Sequence, residues 1–214
     1  MPHLQSARRT IRRATVVLRE EGIKSFYFKV LGEIGYRRLL VFERSLEKPV
    51  PVFASGLDVR IRQLEVKEAK DYLVFRPETP GTLVADRITS GHLCFAAWYG
   101  DGIVGATWAA TQHVWIDYLA FDFPLAVGEV HTYDVYTLPE YRGHGISPAI
   151  SVHMLRYFAE SGYRIATRTI LPENRASLRA RAKAGYQLAG KVVCIRIGPL
   201  KRHYRSSVGK ITTR

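Results

Sequence analysis

Cysteine is scarce in this chain: its 214 residues hold two, Cys94 and Cys194, each inside an apolar, strand-like run. Two thiols so placed exclude a disulfide framework and predict buried, reduced side chains. No zinc-type ligand spacing occurs, so no metal is expected. Long hydrophobic runs are missing too, none approaching the eighteen or so residues of a membrane span. The first residues, Met1-Pro2-His3-Leu4-Gln5, lack a signal-peptide core, and together these absences predict a soluble, cytoplasmic chain. There is no internal repeat and no low-complexity segment, and no Gly-Lys-Ser/Thr follows a glycine turn, which excludes a Walker-type phosphate loop.

Acidic residues are also few, 19 Asp and Glu against 32 Lys and Arg, for a net charge of +13. The excess is uneven: residues 1–48 carry 11 basic against 5 acidic side chains, residues 49–197 carry 16 against 14, and residues 198–214 carry 5 against none. A nearly neutral centre with basic ends points to an anionic surface as partner more than to the chemistry of the centre. Nucleic acid fits poorly as that partner, because no helix-turn-helix, zinc spacing or aromatic-interleaved stacking platform accompanies the arginines.

At 47% hydrophobic residues the chain can bury one substantial core. The predicted organisation is a basic amphipathic extension over 1–50, a single folded domain over 51–198 and a loosely ordered basic tail over 199–214. Residues 6–21 read as a helix with Ala7, Ile11, Ala14, Val17 and Leu18 on one face and arginines on the others, stopped by Gly22. A second amphipathic stretch covers about 23–40, and Pro49 and Pro51 mark a linker. Three destinations suit such helices: an anionic membrane surface contacted through 6–40, which would make the protein peripheral at the inner membrane surface, the chain's own domain, or a second copy in a homodimer.

Within the domain, a short strand over Asp58–Gln63 precedes helices over Val66–Phe75 and Gly81–Thr89. Strands over Leu93–Tyr99 and Ile103–Thr111 flank Gly100-Asp101-Gly102, a hairpin signal. Trp115–Val127 reads as a strand with a long loop around Pro124, and Glu129–Thr137 alternates as a strand. A helix over Pro148–Ala159, a strand over Arg164–Leu171, a helix over Asn174–Ala184 and a hairpin arm over Leu188–Ile197 complete an α/β sandwich on a mixed sheet.

The junction after Thr137 carries most information. Arg142-Gly143-His144-Gly145-Ile146-Ser147 turns a strand into a helix. Its two glycines permit φ > 0, and its bare amides and helix N-terminus form a ready seat for a phosphate, which Arg142 would reinforce. By itself such a turn reads first as a plain strand-to-helix connection; its place between the alternating strand Glu129–Thr137 and the apolar helix Pro148–Ala159 favours the seat. A dinucleotide fingerprint is excluded by the missing third glycine and the preceding antiparallel hairpins.

Arg142, Gly145 and Ser147 match the Arg/Gln-x-x-Gly-x-Gly/Ala signature of the GCN5-related N-acetyltransferase (GNAT) superfamily, which this chain resembles over about 57–197. Asn174, followed by Lys183-Ala184-Gly185-Tyr186, is similar to that family's Asn…Lys-x-Gly-Phe ending. The resemblance implies a mixed, mostly antiparallel sheet flanked by helices, and acetyl transfer from acetyl-CoA to an amine acceptor (an amino sugar, another small amine or a protein amine) by direct attack. It implies that Arg142, Gly143, His144, Gly145, Ile146 and Ser147 hold the CoA phosphates. It further implies that an amide near Tyr136 or Thr137, on a strand splayed from its neighbour, faces the thioester carbonyl. Asn174 would bind pantetheine or order water, while also serving as an N-cap.

A lysine-like amine with a pKa near 10.4 must surrender a proton before it attacks, so a base is required. His131, eleven residues before Arg142, stands at the offset where relatives place their glutamate or histidine base, and it reads equally as a satisfied strand histidine. Alternation puts Glu129, His131 and Tyr133 on one face and Asp134 on the other. Asp134 becomes the base only if a bulge shifts the register. The family's tyrosine acid, seven residues after the asparagine, is replaced by Arg181, which cannot donate a proton at neutral pH; it could hold a phosphate or the thiolate, but reads first as a helix-surface arginine. Ser177, three residues after Asn174, matches an alternative acid of relatives that acetylate protein amino termini. The replacement at 181 leaves a second class open, a catalytically degenerate protein that binds acyl-CoA or tethers a partner.

Overall fold

The computed structural model describes residues 35–207. The helix expected over 6–21, the first part of the stretch over 23–40 and the last residues of the tail lie outside the described residues, as does most of the segment assigned to membrane or homodimer contact. Ten strands and four α-helices follow in the described part. Strands β1 (Tyr36–Ser45), β2 (Arg60–Gln63), β3 (Leu93–Tyr99), β4 (Gly102–Ala110), β7 (Glu129–Thr137), β8 (Ile165–Ile170), β9 (Gln187–Ile197) and β10 (Leu200–Ser207) form one sheet in the order β10-β9-β1-β8-β7-β4-β3-β2. β7 and β8 run parallel and every other neighbouring pair is antiparallel. β5 (His113–Ile116) and β6 (Phe121–Pro124) make a separate hairpin. The helices are α1 (Ala69–Phe75), α2 (Gly81–Thr89), α3 (Ile146–Glu160) and α4 (Arg175–Lys183).

β3 and β4 are apolar along almost their whole length because both faces of the sheet are covered there. On one face Tyr72 and Phe75 of α1 and Val84 of α2 pack on Cys94, Trp98, Ala106 and Trp108. On the other, Ile146, Ile150, Met154, Leu155 and Phe158 of α3 pack on Phe95, Ala97, Val104, Val130 and Ala166. The β5–β6 hairpin covers the continuation of the first face, where Val114, Leu119 and Phe123 meet Leu39, Val41, Ala110, Val192 and Cys194. Tyr133 packs against both clusters of that face, at the boundary between α1/α2 and the hairpin. Cys94 and Cys194 are buried and free.

Three expectations change. Residues 36–40, assigned to a helix, belong to β1, which pairs with β8 on one side and β9 on the other, so the sheet reaches back into the segment taken as an extension. The cause is Leu39-Leu40-Val41-Phe42, whose side chains split between the two buried faces; a short apolar run buried on both sides has no periodicity to separate strand from helix. Residues 200–207, assigned to a loose tail, form β10 on the edge of the sheet, turned back through Gly198 at φ 57°. Its exposed Lys201, Arg202 and Arg205 suit an edge strand that must resist further pairing. The strand expected over 115–127 is instead the β5–β6 hairpin, closed by a turn containing Ala120 at φ 44°.

Candidate active site

The sheet opens between β7 and β8. They pair from Glu129↔Ile165 to Thr132↔Arg168 and no further. β7 runs on to Thr137, held from the other side by β4 as far as Gly105↔Thr137. Tyr133 to Thr137 therefore have no strand partner on the β8 side, and a slot lies beside them. A β-bulge sits where the slot begins: Ala106 faces Tyr136 and Trp108 faces Tyr133, so β7 holds one residue more than β4. Asp134 takes φ 48° there, the left-handed conformation that a short polar side chain tolerates. The bulge carries the Asp134 carboxylate to the α1/α2 face.

At the open end of the slot, Arg142 leads into the glycine turn. Gly143 has φ 90° and Gly145, the N-cap of α3, has φ 75° without any side-chain cap. The amides of Gly145, Ile146 and Ser147 donate to no protein acceptor among the described residues. Bare first-turn amides at a helix N-terminus are an anion seat. The extended segment before β2 braces the turn from outside: Gly56 N and Ser55 Oγ both donate to the His144 carbonyl, at 2.7 and 3.1 Å. Phe53 lies so close that a Cβ on Gly145 would come within 2.9 Å of its ring. Ile146 is buried beneath Gly105, whose missing side chain makes room for it. Arg142 turns its Nε back to the Thr137 carbonyl, 3.1 Å away, tying the turn to the end of β7.

Asn174 caps α4, its Oδ1 accepting from Ser177 N at 2.9 Å. Ser177 thus stands in the first turn of α4 beside the asparagine. Arg181 departs from both roles considered for it: Nη1 donates to the Tyr186 carbonyl at 3.0 Å and the guanidinium stacks 4.0 Å from the Phe42 ring centroid. It closes the end of its own helix instead of reaching toward the slot.

His131 is enclosed. Its exposure is 0%, its Nδ1 lies 2.9 Å from Thr167 Oγ1 and its ring packs on Phe123. Burial, aided by the nearby Arg168 charge, pushes its pKa down to about 3. So placed, the imidazole is out of reach of an amine arriving from solvent, and the satisfied strand histidine describes it.

The groups that do gather are on the α1/α2 face. Asp134 accepts from Arg87 Nη1 at 2.6 Å and from Arg76 Nη1 at 3.4 Å. Arg76 lies over the Tyr136 ring, and Arg87 lies over Trp108 and Tyr133. His92 Nδ1 is 2.5 Å from the Tyr133 hydroxyl. Burial, with Arg87 adding, holds the His92 pKa below its ordinary value, so the ring is neutral at pH 7 and Nδ1 can accept. Burial likewise raises the Tyr133 phenol. His92, Tyr133, Arg76 and Arg87 escape sequence inspection. The alternation that singled out His131 also passes through Tyr133, but His92 has no local signal, standing 41 residues away.

A sheet split beside a strand-to-helix glycine turn is the arrangement of an N-acetyltransferase fold. The chain belongs to the acetyltransferase (GNAT) family, whose model matches residues 61–186. Among solved structures it resembles a GCN5-related N-acetyltransferase from Sphaerobacter thermophilus (16% identity, TM-score 0.56, 86% of this chain and 56% of the other). It also resembles a GNAT-family acetyltransferase from Novosphingobium aromaticivorans (15%, 0.54, 74% and 65%). The glucosamine N-acetyltransferase region of a fungal multi-domain β-N-acetylglucosaminidase is similar as well (12%, 0.55, 85% and 23%). The chain thus spans less than two thirds of each of these proteins. No curated protein matches it significantly.

Proposed function

We propose that the chain is an acetyl-CoA-dependent N-acetyltransferase, with the CoA pyrophosphate on the Gly143–Ser147 amides and pantetheine in the slot beside Tyr133–Thr137. The observation that carries this is the conjunction of that slot with the uncapped amides of Gly145, Ile146 and Ser147 at its mouth. Backbone amides of Tyr136 or Thr137 supply the hydrogen bond to the thioester oxygen as it gains charge. The amine approaches from the other face, at the boundary between α1/α2 and the β5–β6 hairpin where Tyr133 packs. The amine proton passes to the Tyr133 oxygen as Tyr133 passes its own to His92 Nδ1, while Asp134, paired with Arg87 and Arg76, fixes the wall of the site. The acceptor class is an amino sugar, another small amine or a protein amine. The charge pattern supports a cytoplasmic enzyme held at an anionic membrane surface through residues 6–40.

Calorimetric titration with acetyl-CoA tests the seat. Wild type binds, whereas Gly145→Glu, which drives a charged side chain into the seat and a Cβ against Phe53, loses affinity at least ~100-fold. Equal affinity in both proteins would remove the site. The replacement of the family's tyrosine acid by Arg181, turned to Tyr186, favours one second reading, an acyl-CoA-binding protein without turnover. Acetyl-CoA binding with no product from any amine in a broad panel would select it.

A further inference from the structure

Arg168 stands on β8 at its last pair with β7, opposite Thr132, where the strands part. Its neighbours along the strand fix its face: Thr167 and Thr169 turn to His131, while Ala166 and Ile170 join the α3 core. Arg168 is 4% exposed. Among the described residues it has neither a carboxylate partner nor a hydrogen-bond acceptor; Nη2 is enclosed and unsatisfied, and its contact is the Tyr186 ring, 5.7 Å from Cζ. Two more arginines converge on the same turn. Arg44 Nη1 lies 3.4 Å from the Gly185 carbonyl and Arg181 Nη1 lies 3.0 Å from that of Tyr186, and each buries an unsatisfied Nε. No described acidic side chain pairs with any of the three. The Tyr186 hydroxyl, 3.3 Å from Thr132 Oγ1, links this turn to the neck of the slot.

Arginine does not shed its proton in proteins, so the Arg168 charge persists although nothing offsets it. Isolated buried charge destabilises a fold. A site that holds a charge uncompensated at rest is complementary to an anion that exists only during reaction. One such anion forms in acetyl transfer: as the amine nitrogen bonds to the carbonyl carbon and the C–S bond breaks, sulfur departs with the electron pair. We propose that Arg168 is a catalytic residue that stabilises the CoA thiolate as it leaves, doing by charge what a proton donor on α4 would do by proton transfer. The amine proton goes to the Tyr133–His92 pair, and the thiolate is protonated later by water. This inference rests on the acetyltransferase reading above.

Arg168→Met isolates the charge. With acetyl-CoA its kcat is expected to fall on the order of 100-fold, the size of losing one transition-state donor. With the acetyl thioester of 4-nitrothiophenol, whose thiolate is stable unaided, the fall shrinks below about tenfold. The variant's Tm is unchanged or higher, because a buried unpaired charge has gone. Arg168→Lys, which keeps the charge, recovers part of the rate. An equal loss with both thioesters, or a lowered Tm with a loss that lysine does not repair, overturns the proposal and leaves Arg168 structural. Binding gives a readout without turnover: near pH 8.5, an ordinary thiol pKa, wild type prefers CoA over desulfo-CoA and Arg168→Met does not. No preference in wild type that does bind both rejects the thiolate role alone, whereas binding of neither rejects the acetyltransferase reading with it.

Discussion

Two side chains three residues apart on β7, His131 and Asp134, would point to opposite faces of a regular strand; the intervening bulge brings both to the face covered by α1, α2 and the β5–β6 hairpin, where His131 is enclosed and Asp134 is partly exposed. Their consequences separate experimentally, together with those of Tyr133. His131 is held neutral, with its pKa near 3. The unfolded chain binds a proton at this residue below pH 6.5 while the folded chain does not. The stability it contributes is therefore complete above about pH 6.5 and is lost as pH falls toward 3, with a slope of at most about 1.4 kcal/mol per pH unit. His131→Gln is expected to flatten the dependence of Tm on pH across that window and to change kcat little, whereas Tyr133→Phe lowers kcat about 100-fold or more at unchanged Tm slope. A kcat collapse in His131→Gln with Tyr133→Phe unaffected would return the base to His131. Sequence inspection found the residues of the glycine turn because their requirement is local: positive φ and bare amides show in the glycines themselves. It missed the His92–Tyr133 pair because the 2.5 Å contact is made by tertiary packing across 41 residues.

Among the elements, β1 is the most dependent on distant partners. It is hydrogen-bonded to β8 and β9, registering Leu40 with Ile170 on one side and Lys191 on the other. Proline at Val41 would remove a ladder donor and clash in the centre of the sheet, costing about 3 kcal/mol or more. The expected signature of Val41→Pro is a lower urea midpoint with faster amide exchange in β8 and β9, while β3 and β4 remain protected. Uniform loss of protection across all strands would show that the sheet does not divide at the slot. β3, α2 and β7 were legible to within a residue because each carries a strong local pattern between turn signals. β10 was not, since Leu200-Lys201-Arg202-His203-Tyr204 has too little apolar content to announce a strand and pairs only through the tight turn at Gly198.

For the molecule as a whole, charge and chemistry are segregated: residues 49–197 are nearly neutral while 198–214 carry five basic residues and no acidic one. The exposed β10 edge displays Lys201, Arg202 and Arg205 from that set. Sedimentation with phosphatidylglycerol vesicles is expected to carry the protein down at low salt and to release it progressively as ionic strength rises past 0.15 M, where the Debye length is about 8 Å. Equal recovery on neutral phosphatidylcholine would remove the electrostatic attraction. The position of β1 between β8 and β9 also sets an order of assembly during synthesis. The strand leaves the ribosome well before either of its partners, β8 and β9. While more than a hundred further residues are made, Leu39 to Phe42 remain an apolar strand with two open edges. β2 to β4 can pair as they emerge, so the nascent chain passes through a half-built sheet in which β1 waits for both neighbours, a state in which a chaperone's grip on that tetrapeptide would decide yield.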